Sequence, residues 1–224
     1  MKLMFAVLPT VGGKGRDDYL AKLAAIADYA RANEPGVLSY VVCLPRDTAD
    51  TKTVYMVELY ADHAALESHM ETDHVKDLIA WMGANAVLEG TPTVLELELL
   101  HDVESGIFVR HDALGNTSDP FIVVGEVSFK DSELLQKSLP YWAEVLKTTR
   151  DNEPGSIFYA LARGTTNPET LYTIEAYTSK DYLWDVHAKS QAVQDNKQAS
   201  EAWRSGLKLN ILKKVNGYLA RPKI

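Results

Sequence analysis

Apolar residues along this chain alternate first at a strand spacing, then at a helix spacing, and the same succession occurs twice. Leu3–Leu8 is a short apolar run of strand length, followed by Tyr19, Leu23, Ile26 and Ala30 at helical spacing within about Arg16–Ala32. Phe121–Phe129 is followed in the same way by Leu135, Leu139, Trp142 and Leu146 within Ser132–Arg150, with Ser132 as the expected N-cap. Each helix stops at Glu-Pro-Gly, because proline disfavours helical geometry before it and glycine supplies the turn. Two strands follow each stop, Val37–Leu44 with Val54–Tyr60 and Ser156–Ala162 with Leu171–Tyr177, joined by the polar turns Pro45–Lys52 and Arg163–Thr170. A second helical region then runs from Asp62 to about Trp81, or from Ser179 to about Trp203. Strands at Val94–Leu100 and Leu207–Val215 close the two series.

The repetition is one of residues as well as pattern. Arg31-Ala32-Asn33-Glu34-Pro35-Gly36 returns as Arg150-Asp151-Asn152-Glu153-Pro154-Gly155. Tyr55-Met56-Val57-Glu58-Leu59-Tyr60 returns as Tyr172-Thr173-Ile174-Glu175-Ala176-Tyr177, and His69 returns as His187. The chain is therefore an internal duplication. Each copy has the order β-α-β-β-α-β, so the expected class is α+β: two ferredoxin-like (split βαβ) units. The sequence places them at residues 1–105 and 120–224, with a connector at about 106–119 in which Ile107-Phe108-Val109-Arg110 has strand character. A four-stranded sheet covered by helices on one side leaves one face bare. Two copies in one chain are expected to pack those faces together as a pseudo-dimeric α/β barrel, with a further homodimer left open.

Composition narrows the function. A net charge of −8 without a basic cluster argues against a nucleic-acid partner. No apolar run approaches the ~20 residues that span a bilayer. The single cysteine, Cys43, rules out an intrachain disulfide, suits a reducing cytoplasm, and is expected to be buried and inert in its apolar strand. The chain lacks a P-loop, a Gly-x-Ser-x-Gly elbow and a dinucleotide-binding glycine pattern, and no Cys/His/Asp cluster has metal spacing. Gly12-Gly13-Lys14-Gly15 reads as a flexible loop over a pocket rather than a phosphate loop.

The candidate chemistry lies in residues 58–81. Strand alternation places Met56, Glu58 and Tyr60 on one face. A carboxylate among such neighbours needs a partner, either as a base, as an anchor for a histidine, or in a structural hydrogen bond to the following helix. His69 and His74 are five residues apart, roughly 140° from a full turn, so they share no helical stripe. Asp73, four residues after His69, could fix its tautomer, whereas His74, Leu78 and Trp81 fall on one stripe that suits a flat pocket or plain core packing. The second copy keeps Glu175, Tyr177 and His187 but has Ala192 in place of His74.

The order Glu58-x-Tyr60, Asp62, Leu66, His69, His74, with Glu-Pro-Gly and an apolar strand upstream, resembles the antibiotic biosynthesis monooxygenase domain family, twice over. The resemblance implies dimeric α/β-barrel units with a ligand between sheet and helices. It also implies a cofactor-independent monooxygenase acting with O₂ on a small phenolic, anthrone-like or enolisable metabolite, with no metal. His69, His74 and Glu58 are then the catalytic candidates, Tyr60, Trp81, Met56 and Leu78 the substrate-binding ones, and Glu175, Tyr177 and His187 their counterparts. The same scaffold also carries isomerases, haem-degrading enzymes and non-catalytic binding modules. The haem degraders place an asparagine on the first strand, which Met1–Pro9 lacks.

Overall fold

The computed structural model describes residues 1–100 and 106–221. In chain order, β1 (Lys2–Pro9), α1 (Gly13–Asn33), β2 (Val37–Pro45) and β3 (Thr53–Tyr60) are followed by α2 (His63–Met70), α3 (Asp73–Ala84) and β4 (Thr93–Leu99). Next come β5 (Ile107–Val109), α4 (His111–Gly115), β6 (Phe121–Phe129), α5 (Ser132–Asn152), β7 (Ser156–Gly164), β8 (Thr170–Tyr177), α6 (Gln191–Ser200) and β9 (Arg204–Tyr218). The segment expected as a connector thus contains a strand, β5, paired with β7, and a short helix.

The chain divides into two compact units, and their borders differ from those of the sequence repeat. Unit 1 is Met1–Glu96 with Leu212–Ile224, and unit 2 is Leu97–Ile211. The difference arises because β9 runs longer than the apolar pattern indicated, and its second half pairs with β2, from Pro45↔Leu212 to Tyr40↔Tyr218. A β-bulge between Val42 and Cys43 adjusts this register. Gly217 lies there at φ 78, backbone that favours glycine, and a Cβ would strike the Tyr40 carbonyl.

In unit 1, β3 lies between β1 and β2 in antiparallel register, Lys2↔Tyr60 on one side and Cys43↔Tyr55 on the other. The first part of β4 flanks β1. In unit 2, β8 lies between β6 and β7, with Phe121↔Tyr177 and Arg163↔Leu171, and the end of β4 pairs with β7, Leu97↔Gly164. Helices α1 and α5 bury matching stripes: Tyr19, Leu23, Ile26, Ala27 and Ala30 in one, Leu135, Ser138, Trp142, Val145, Leu146 and Thr149 in the other. Each stripe packs into its own unit's core. Cys43 is fully buried, and burial pushes its thiol up to about 12.

Several local expectations need correction. Gly13, Lys14 and Gly15 form the first turn of α1 rather than a loop. The cap of α5 is Asp131, whose carboxylate accepts from Leu134 N at 2.8 Å, one residue before the expected Ser132. The single helix expected over Asp62–Trp81 breaks after Met70, because Thr72 is extended and its hydroxyl caps α3 at Val75 N. The region Ser179–Trp203 is likewise not one helix. A π-type turn (Tyr182–Val186) and a 3₁₀ turn (His187–Lys189) precede α6. The wider π turn accommodates the extra residue that this copy carries before its histidine.

Candidate functional site

Unit 1 contains a cavity of about 460 Å³, within the usual range for a small-molecule site. Its walls come from β1, α1, β2, β3, α2, α3 and β4, and are almost wholly apolar. Met4, Leu23, Met56 and Leu78 are representative, and Met70, Ile79 and Val94 are exposed to solvent. The lining residues that carry polar groups are Tyr19, Tyr40, Glu58 and His69.

The His69 side chain is 3% exposed, and its Nδ1 lies 3.1 and 3.2 Å from the two carboxylate oxygens of Glu34. An ionised carboxylate only accepts, so a hydrogen sits on Nδ1, and Nε2 is the nitrogen left without this partner. Its ring sits between those of Tyr40 and Tyr60, with centroids 5.6 and 5.5 Å away. These contacts fix the imidazole from both sides. Asp73, lying beyond the helix break, is not this partner. Glu34, read from sequence only as part of a helix stop, takes that place.

Glu58 accepts a hydrogen bond from Tyr60 Oη at 2.5 Å. Burial holds its carboxyl above the ordinary carboxylate range, although the Tyr60 hydroxyl and the nearby His69 pull the other way. Burial and the adjacent Glu58 charge push the Tyr19 hydroxyl up to about 12 and those of Tyr40 and Tyr60 well above 10. All three phenols thus stay protonated at neutral pH.

The sequence candidates separate accordingly. Met56, Glu58, His69 and Leu78 line the cavity. Tyr60 lies behind Glu58 and reaches the cavity only through it. Trp81 stacks on Tyr19, centroids 6.4 Å apart, with Lys22 Nζ 4.9 Å from its ring. His74 is exposed and stacks on Tyr29 at 4.0 Å. Neither Trp81 nor His74 is among the lining residues, which on α3 are Val75, Leu78 and Ile79. Sequence reasoning missed Glu34, Tyr19 and Tyr40. The signal for two of them was present, since Glu34 recurs as Glu153 and Tyr40 as Tyr159.

Unit 2 repeats the polar core. Tyr177 Oη donates to Glu175 at 2.5 Å, and His187 Nδ1 lies 2.8 Å from Glu153 Oε2. Burial opposes the His187 imidazolium, but the Glu153 hydrogen bond and the charges of Glu175 and Glu153 outweigh it and raise its pKa. The walls differ. Trp142 stands where unit 1 has Leu23, and Asn196 where it has Leu78. Arg204 binds Asn196 Oδ1 at 2.9 Å and Ser200 Oγ at 2.8 Å, with its guanidinium carbon 5.7 Å from the Trp142 ring. Tyr182 stands where unit 1 has Ala65. Its ring covers Gly155, where a Cβ would collide with it, as a Cβ on Gly36 would collide with Ala65 Cβ at 2.7 Å. Two positions that line the unit 1 cavity, Leu23 and Leu78, thus carry in unit 2 a larger ring and a polar side chain bonded to Arg204.

Among the described residues, no group of three or more His, Cys, Asp or Glu side chains could hold a metal ion. No helix among them is long and apolar enough to cross a membrane.

The family described as antibiotic biosynthesis monooxygenase matches residues 10–81 and 120–205, more than half of the chain. The chain belongs to that family, as a tandem pair of its domains. It is similar over nearly its whole length to a proposed monooxygenase of Fusobacterium nucleatum, with 19% identity, a TM-score of 0.76, and coverage of 100% of this chain and 98% of that one. A proposed monooxygenase of Lactobacillus acidophilus NCFM gives 15% identity and a TM-score of 0.74, with coverage of 98% and 99%. An anthrone oxidase-like protein gives 14%, 0.60, and coverage of 96% and 91%. No curated protein matches the chain. These likenesses carry the fold class: α+β, two ferredoxin-like units in one chain, of the dimeric α/β-barrel type.

Proposed function

We propose that this chain is a cofactor-independent monooxygenase that acts with O₂, in the unit 1 cavity, on a small phenolic, anthrone-like or enolisable metabolite. The observation that carries this reading is the Glu34–His69 pair at the wall of an otherwise apolar cavity. Glu34 holds the Nδ1 hydrogen, so His69 Nε2 is the base. It takes a proton from an O–H or an acidic C–H of the substrate, and Glu34 stabilises the imidazolium. A free phenol ionises near 10, so the pocket must lower that cost. The substrate anion transfers one electron to O₂, and the resulting radical and superoxide combine to form a C–O bond. Return of the proton from His69 gives a hydroperoxide, which loses water to leave a carbonyl. The dry wall protects the radical pair from solvent.

The test is oxygen uptake against a panel of anthrones, hydroquinones and enolisable carbonyls, with products examined for one added oxygen atom, with or without loss of two hydrogens. A second reading is favoured by the same pair. A base that returns its proton to a neighbouring carbon is an isomerase, and such turnover would proceed unchanged without oxygen. The family membership and the likeness to an anthrone oxidase-like protein support the first reading.

A further inference from the structure

We infer that Glu58 makes the unit 1 cavity selective by charge, admitting neutral or cationic aromatic ligands and rejecting those that carry a carboxylate. The inference rests on the reading of this cavity as the ligand site, and not on the oxygenation chemistry. Glu58 is the carboxyl among the lining residues, and no lysine or arginine accompanies it there, among the described residues. Several cations of unit 1 are held by other partners. Lys22 lies over Trp81, and Arg31 donates to Gly217 O and covers Tyr218. Arg221 caps the end of α1 through Ala30 O and Arg31 O, and Lys2 pairs with Glu96.

The other polar residues of the lining are Tyr19, Tyr40 and His69, the last already paired with Glu34. One Glu58 oxygen receives the Tyr60 hydroxyl, which leaves its remaining acceptor capacity for a ligand O–H or N–H. An incoming carboxylate would lose its hydration among apolar walls, find no lysine or arginine, meet a histidine already paired with Glu34, and lie beside a second carboxylate. An incoming phenol loses little hydration and gains an acceptor. The substrate is therefore an aromatic compound without a free acid group.

Three naphthalenes of similar size and different charge test this by equilibrium binding at about pH 8: 2-naphthol, 2-naphthoate and 2-naphthylmethylamine. The wild-type protein should bind 2-naphthol at least about tenfold more tightly than 2-naphthoate. The amine should also exceed 2-naphthoate by about tenfold, because burial alone would penalise both ions alike, and only the sign of the cavity charge separates them. Glu58→Gln should bring naphthol and naphthoate to within about threefold and weaken the amine. Equal binding of amine and naphthoate by the wild type, or an unchanged naphthol-to-naphthoate ratio in Glu58→Gln, would overturn the inference while leaving the cavity a ligand site. Failure of all three probes to bind would overturn that reading of the cavity and the inference with it.

Discussion

Glu34, the residue before the proline that ends α1, holds both carboxylate oxygens within hydrogen-bonding reach of His69 Nδ1, on a helix two strands further along the chain. The residue that ends one element thus orients the candidate base on another. His69→Ala should lower kcat by about 10²–10⁴-fold on any substrate that the chain turns over. Glu34→Gln should cost at least about tenfold and move the pH–rate profile, because the imidazolium loses its counter-charge. His74→Ala, at an exposed ring stacked on Tyr29, should leave kcat and KM close to wild type. Equal losses in His69→Ala and His74→Ala would sink this assignment.

Glu58 is retained at a cost to stability. Its folded-state pKa is raised, so the folded protein binds a proton more readily than the unfolded chain does. That contribution is present below the ordinary glutamate range and lost as pH rises through the folded value. Glu58→Gln should therefore raise the thermal midpoint at pH 7, by about 2–4 °C for each kcal/mol gained, and the gain should vanish at low pH. Calorimetry across pH checks the sign. A midpoint lowered at neutral pH would show the carboxylate to be stabilising.

The contrast between the units predicts one ligand per chain. Leu23→Trp copies the side chain that unit 2 has at that position and should abolish 2-naphthol binding. Its effect on the thermal midpoint should be small, because the ring enters existing space and avoids the roughly 1–3 kcal/mol cost of overpacking. Isothermal titration reads both the stoichiometry and its loss. Two sites per chain, or full binding in Leu23→Trp, would contradict it.

His187 should show the opposite balance from a catalytic group. Its pKa is raised by Glu153 and Glu175 despite burial, so the stability it contributes is complete below its unfolded pKa of about 6.5 and is lost as pH rises through the higher folded value. His187→Gln should destabilise most in mildly acidic solution, with the deficit narrowing as pH rises through the folded value. Removing one partner of a buried pair typically costs about 3–5 kcal/mol, so the deficit should be easy to read. A deficit that stays constant across pH would mean that the charge of His187 contributes nothing.

Much of the fold could be read from the chain because it rests on local regularities. The apolar periods of 2 and 3.6, the Glu-Pro-Gly stops and their recurrence specify two β-α-β-β-α-β units. The helix break at Thr72 and the π turn before His187 were not evident. The first depends on one side chain capping a backbone that could also have continued as helix. The second depends on His187 being drawn to Glu153, a residue more than thirty positions away.

The sequence by itself determined the duplication, the family, the element order, and the presence of Glu58 and His69 in one short region. It also held Glu34 and Tyr40 in plain view, repeated as Glu153 and Tyr159, but gave them no role. Only the tertiary structure decided which side chains meet. It joined Glu34 to His69, turned His74 and Trp81 away, and opened a cavity in unit 1 beside Leu23 and Leu78, where unit 2 carries Trp142 and Asn196. Periodicity records which face of an element is apolar. Whether the space above that face is filled or empty depends on side-chain volumes contributed by several distant elements at once, and no local pattern encodes their sum.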